Sequence, residues 1–139
     1  MMLIATALTV SGCAHERQLV VPIPVQYYIS GNHPSSTLLV LLPGIHDRIS
    51  KFETYGFIDS IRQTGQPCDL VSVDAHYGYY HAGIFVERLH DDVIVPARRA
   101  GYTNIIFVGI SLGGYGALLY ANSYRTEITT LVLLAPWLG

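Results

Sequence analysis

Residues 104–120 read NIIFVGISLGGYGALLY, and the way this stretch changes character at its centre decides the fold. An unbroken apolar run ends at Gly109, a serine follows two residues later, and Gly113, Gly114 and Gly116 open a second apolar run. The first run suits a strand buried on both faces, and the second suits a helix. Between them, Gly109-Ile110-Ser111-Leu112-Gly113 matches G-x-S-x-G. A strand that turns sharply into a helix forces the serine into a strained conformation. Glycine two residues to either side lets strand and helix approach that closely. The pattern alone is weak, but its position between an expected strand and an expected helix is the context it requires.

Working outward, the same kind of apolar run recurs. TLLVLL (37–42), CDLVSVD (68–74) and TTLVLLA (129–135) join NIIFVG (104–109), and VQYYIS after Pro22 and Pro24 reads as an extended segment. Helical patterns lie between the runs. Phe52, Tyr55, Ile58 and Ile61 recur at three-residue steps, with Ser50 and Glu53 as a candidate capping box, Gly65 as C-terminal cap and Gly56 as a break. Val86, Leu89, Val93, Ala97 and Ala100 form a second stripe that ends at Gly101, with a kink expected at Pro96. Strands alternating with helices specify an α/β fold with a doubly wound, mostly parallel sheet and right-handed crossovers.

In such sheets chemistry gathers at the carboxyl ends of the strands. The loops to inspect are therefore 43–49, 74–83, 109–113 and 135–139. The first holds His46 and Asp47. The second holds His76, Tyr77, Tyr79, Tyr80 and His81, whose tyrosines either line a pocket or cover the sheet. His76, His81 and His90 lack tight ligand spacing, so neither a metal nor a cofactor is expected. The glycines follow the fourth expected strand, G-x-G-x-x-G is not matched and no Gly-Lys-Ser/Thr occurs, which sets a nucleotide site aside. Half of the chain is hydrophobic, 13% is charged and the net charge is −2, which suits a globular domain and leaves no basic footprint for nucleic acid.

With those motifs in hand, the chain resembles the N-terminal part of a bacterial α/β-hydrolase. LLVLLPGIHD takes the place of the strand and oxyanion loop, VSVDAHYGYY the next strand and its loop, GISLGGYGALLY the turn that mounts the nucleophile, and LVLLAPWLG the strand after it. The resemblance implies that Ser111 is the nucleophile of a serine esterase, held between the elbow glycines Gly109 and Gly113. It implies that the backbone N–H groups of Ile45 and Leu112 form the oxyanion hole. It also implies an order of serine, acid, histidine. After Ser111, however, there is one acid, Glu127, and no histidine. The expectation is a hydrolase of small ester substrates that stops after the equivalent of the sixth strand. His46 is a candidate substitute base, with Asp47 beside it. The alternative is an inactive, lipid-anchored remnant or binding module on the same scaffold. A strand left at the sheet edge would favour self-association through residues 129–135.

The N-terminus reads separately. MMLIATALTVSGC is a short apolar run ending in Val10, Ser11, Gly12 and Cys13, and resembles the lipobox of bacterial lipoproteins. It implies acylation of Cys13, a membrane anchor and a place in the bacterial cell envelope; a frayed end of a cytoplasmic protein is the alternative. Cys68 then has no disulfide partner and reads as a buried strand thiol. The expected organisation is a signal at 1–13, an extended segment at 14–35 and a partial α/β-hydrolase domain at 36–139.

Overall fold

Five strands form one sheet in the order β1-β3-β2-β4-β5, where β1 is Val25–Tyr28, β2 Thr37–Leu42, β3 Asp69–Val73, β4 Asn104–Ile110 and β5 Thr130–Leu134. This computed structural model describes residues 17–31 and 35–138; the lipobox reading at Cys13 lies outside them. The pairs β2–β3, β2–β4 and β4–β5 are parallel. Parallel neighbours need a crossover between them, which the helices supply. β1 runs antiparallel to β3, with Val25 opposite Val73 and Tyr28 opposite Leu70. The start of β1 therefore sits at the carboxyl end of the parallel strands.

Side chains alternate across a strand, so β2 feeds two cores. Leu38, Val40 and Leu42 join Val71, Val73 and Phe107 on one face, against Phe85, Leu89, Val93, Ala97, Ala117 and Tyr120. Those partners come from α4 (Phe85–Leu89), a π-helical turn (His90–Ile94), α5 (Val95–Arg99) and α6 (Leu112–Ser123). Leu41, Leu70 and Val108 face the other way, against Phe52 of α1 (Lys51–Thr54) and Ile58 of α2 (Phe57–Gln63). Helices on both faces make the sheet doubly wound.

Three local expectations are corrected. Ser50 makes no side-chain cap, because its own backbone is already helical, at φ −77° and ψ −6°. Gly56 does split the helix into α1 and α2, at φ 75°. The segment 74–83 is not all loop: it contains a short helix, α3 (Tyr77–His81), capped by His76, whose Nδ1 accepts from the Gly78 N–H at 3.2 Å. The stripe ending at Gly101 is one helical path in three pieces. Its π-helical turn ends two residues before Pro96, and that wider turn makes room where the proline ring would otherwise meet the carbonyl of Asp92. β5 lies at the edge of the sheet with Val132 and Leu134 exposed, as expected of a strand left there. Cys68 is buried and unpaired just before β3, and burial pushes its thiol pKa up.

Candidate active site

Ser111 sits between β4 and α6 at φ 51° and ψ −114°. Positive φ is costly for a residue with a Cβ, about 1–3 kcal/mol, and persists only where the surroundings over-determine it. Here they do. The Ser111 N–H donates to the Leu134 carbonyl at 3.0 Å, and the Ser111 carbonyl accepts from the N–H groups of Tyr115 at 3.2 Å and Trp137 at 3.0 Å. The end of β5 and the turn beyond it thus hold the strained residue from both sides.

The glycines close the same arrangement sterically. A Cβ on Gly109 would lie 2.5 Å from the Gly113 carbonyl oxygen, and one on Gly113 would lie 2.0 Å from the carbonyl oxygen of Leu42. Neither obstacle is a movable side chain. The first turn of α6 can approach the ends of β4 and β2 only because both positions lack a side chain.

Ile45, Tyr77, Ser111, Leu112 and Trp137 line a cavity of about 380 Å³ over this turn. Apart from the Ser111 and Tyr77 hydroxyls and the Trp137 indole N–H, its side chains are apolar. Among the described residues, the backbone N–H groups of Ile45 and Leu112 donate to no protein acceptor. Leu112 begins α6, whose first N–H groups have no intrahelical partner and whose positive end favours an anion. The cavity is therefore lined by a serine hydroxyl and by two residues whose backbone N–H groups are unpaired. Such an arrangement can present an oxygen nucleophile to a carbonyl carbon and receive the negative charge that develops on its oxygen.

The other sequence candidates separate. His46 is exposed and does not line the cavity. Asp47 comes closer: the Cβ position of Gly44 lies 2.9 Å from Asp47 Oδ2 and 3.8 Å from Ser111 Cβ. Of the three tyrosines, Tyr77 lines the cavity. Tyr79 is buried in the core and donates its hydroxyl to the Val20 carbonyl at 2.7 Å. Tyr80 stacks on Phe85 at 4.2 Å, and its hydroxyl is buried against Gly116 without a hydrogen-bond partner, which drives its pKa far above the ordinary tyrosine value. Tyr79 and Tyr80 thus cover the sheet.

His76 is buried against the Tyr79 ring at 4.6 Å. Burial, reinforced by the Arg17 guanidinium, lowers its pKa. Nδ1 accepts from Gly78, so the neutral ring carries its proton on Nε2. Asp74, directly after β3, pairs with Arg17. Among the described residues no three His, Cys, Asp or Glu side chains gather as a metal site.

One cluster was not anticipated. His90 Nδ1 lies 2.9 Å from the Tyr120 hydroxyl, which donates to Glu127 Oε2 at 2.6 Å, and the His90 ring stacks on Tyr124 at 4.0 Å. Sequence spacing gives no signal for it, because its members come from three separate elements. Glu127 precedes β5, so the cluster sits at the amino end of the strands, away from Ser111.

No family model and no curated protein matches the chain. Solved structures do. Est1E from Butyrivibrio proteoclasticus, with bound ferulic acid, is similar at a TM-score of 0.65 and 19% identity, over 82% of this chain and 49% of that one. MGS-MChE2, an α/β hydrolase enzyme from the metagenome of sediments of the Mar Chica lagoon in Morocco, aligns at 0.62 and 24%, over 86% of this chain and 51% of that one. A putative non-heme bromoperoxidase, BpoC of Mycobacterium tuberculosis H37Rv, aligns at 0.57 and 14%, over 88% and 44%. The fold is that of the α/β-hydrolases, and the chain spans about half the length of the structures it matches.

Proposed function

We propose that the chain carries the nucleophile and oxyanion hole of a serine hydrolase acting on carboxylic esters. One observation carries the reading: Ser111 is held at positive φ, on a turn with room only for glycine on either side, in a cavity with two unpaired backbone donors. Structural strain of that kind clusters at functional sites.

In this mechanism Ser111 Oγ attacks the ester carbonyl carbon as a base takes its proton. The carbonyl oxygen becomes an oxyanion that accepts from the N–H groups of Leu112 and Ile45. Collapse expels the alcohol and leaves an acyl group on Ser111, which water then removes. Among the described residues no histidine, His46 included, lines the cavity, so this reading draws its base and acid from chain beyond the residues described. A second reading rests on that same feature. Without a base beside Ser111, the cavity would bind an ester or acyl group without turning it over. The organisation proposed with it is an acylated Cys13 after a signal at 1–13, an extended segment at 14–35, a hydrolase-type domain from 36, and a place in the bacterial cell envelope.

Labelling with a fluorophosphonate, in protein co-expressed with the C-terminal half of a hydrolase that brings the base and acid, tests the site. The expected result is one modified residue, Ser111, and none in Ser111→Ala. Protein that binds an aryl ester yet resists the reagent would leave the binding reading in place of the hydrolase one. Losing a triad histidine costs on the order of 10⁶ in kcat, so aryl ester turnover by these residues alone should be weak. Rapid turnover that vanishes in His46→Ala would overturn the assignment of the base to other chain.

A further inference from the structure

A strap of chain ahead of β1 crosses the short helix that borders the Ser111 cavity, and one imidazole lies between them. β1 is antiparallel, and its first residue, Val25, pairs with the last of β3, Val73, so residues 17–24 lie at the carboxyl end of the parallel strands. Three contacts fasten the strap there. Arg17 pairs with Asp74 just beyond β3, the Tyr79 hydroxyl donates to the Val20 carbonyl at 2.7 Å, and the Ile23 N–H donates to Asp92 Oδ2 at 2.8 Å. Between the first two, the Gln18 carbonyl accepts from the His76 ring, and Leu19 Cδ2 lies 3.3 Å from the Cβ position of Gly78.

Strap, cap and cavity wall converge at Gly78. Its N–H donates to His76 Nδ1 at 3.2 Å, and a Cβ here would lie 2.8 Å from His76 Cε1, so the ring fills the space a side chain would take. Tyr77, between them in sequence, lines the cavity with Ser111. α3 has only five residues. A helix that short has little hydrogen bonding of its own, so its cap and its packing decide whether it holds. The cap is a nitrogen lone pair. An imidazolium has none, because both of its nitrogens are donors. A proton on Nδ1 therefore sets two donors against each other at Gly78, and it places a positive ring, at 5% exposure, in the field of the Arg17 guanidinium.

We propose that His76 is a positioning residue for the Ser111 cavity, and that uptake of one proton by its ring frees the first turn of α3, withdraws Tyr77 from the cavity wall and loosens the strap at Gln18. The link to activity rests on the reading of Ser111 as a nucleophile; the release itself does not. The cavity wall is intact at neutral pH and comes apart in acid. Among the described residues, the charges that face the ring are Arg17 from the strap and Asp74 from the end of β3, and Tyr79 is its titratable neighbour on α3. Burial pushes the Tyr79 hydroxyl above its ordinary value, so it stays neutral throughout. Burial, then Arg17, lowers the pKa of His76 against the pull of Asp74 and the Gln18 carbonyl. The loosened state then binds the proton more readily. The closed arrangement is fully favoured above 6.5 and loses ground as pH falls from there through the folded value.

Hydrogen exchange of the full chain, read by mass spectrometry from about pH 8 to about pH 5 and corrected for the intrinsic pH dependence of amide exchange, tests the switch. Between 6.5 and the folded pKa, protection of residues 17–24 and 76–82 should fall together, by at most about tenfold per pH unit, while β2 and β4 keep theirs. His76→Asn supplies an oxygen that caps at any pH, so the drop should disappear. Arg17→Gln removes the opposing charge and brings the folded pKa towards 6.5, so the drop should shrink; this variant keeps the test decisive if the first fails to fold. A drop that persists in His76→Asn would overturn the proposal and pass the role to His81, whose ring lies 5.8 Å from that of Tyr77. Loss of protection at 76–82 with 17–24 unchanged would overturn the link between cap and strap. Fluorophosphonate labelling of Ser111, with the C-terminal half of a hydrolase co-expressed, reads the cavity separately. Its rate should fall more steeply in acid for the wild type than for His76→Asn. Equal labelling profiles would overturn the coupling to the cavity. Protein that shows the exchange drop but is never labelled would remove the nucleophile and leave the release supported.

Discussion

Ser111 keeps its φ of 51° because three backbone hydrogen bonds hold it, two of them to the end of β5 and the turn that follows. Glycine reaches that conformation without the Cβ penalty but loses more freedom on folding. Ser111→Gly should therefore abolish fluorophosphonate labelling and still raise stability by about 1 kcal/mol, read as a higher urea midpoint at unchanged slope. A lower midpoint would mean that the serine is not strained. Gly113→Ala works in the opposite direction. Its methyl would meet the Leu42 carbonyl oxygen at 2.0 Å, a backbone obstacle, so a loss of about 4 kcal/mol or failure to fold is expected.

His76 adds a pH dependence. Its pKa is lowered in the folded state by burial and by Arg17, against the opposing pull of Asp74 and the Gln18 carbonyl. The unfolded chain then binds the proton more readily, so this contribution is complete above the ordinary value of 6.5 and is lost as pH falls through the folded value. Urea midpoints should drop as pH falls below the ordinary value of 6.5, and less steeply in His76→Gln. Equal slopes in both proteins would assign the dependence to other groups. At this scale the sequence showed what sterics enforce. The glycines around Ser111 are readable because nothing else fits, whereas His76 as a helix cap is not, since histidine is outside the residue types that usually cap.

At the scale of elements, the strands were the most legible part. TLLVLL is β2 from end to end, and β3 and β4 differ from their apolar runs by a residue or so at the ends, because a fully buried strand must be apolar on both faces. Helices were less legible. The stripe of Leu89, Val93 and Ala97 is buried as its spacing implies, but one extra residue per turn in the π-helical stretch lies inside it, and periodicity alone cannot show that. α6 illustrates a second limit. Its carboxyl end is tied down by Tyr120, whose hydroxyl donates to Glu127 and meets His90. Burial, then the Glu127 hydrogen bond, drives the tyrosine pKa upward. Since Glu127 is partly exposed, Tyr120→Phe should cost about 1 kcal/mol and leave Ser111 labelling unchanged. An unaltered unfolding midpoint would show that water replaces the bond without loss.

For the whole molecule, the sheet order decides the last expectation. β4 pairs with one side of β5, and among the described residues no strand pairs with the other. An edge strand offers free N–H and C=O groups, and proteins usually blunt such edges with charge, proline or a bulge. TLVLL, residues 130–134, contains neither a charged residue nor a proline. Val132 and Leu134 point outward, each 39% exposed, and beside them α6 and the start of β5 border an open groove of about 390 Å³ lined by Leu118, Ala121, Ile128 and Leu131. We therefore expect these 139 residues, expressed alone, to self-associate through residues 129–135 by edge-to-edge pairing. Val132→Lys places a charge on the outward face without altering the pairing of β5 to β4, so it should return the protein to a monomer in sedimentation velocity. Wild-type protein that sediments as a single monomer at all concentrations would show that the edge is protected, and an assembly indifferent to Val132→Lys would place the contact on another surface.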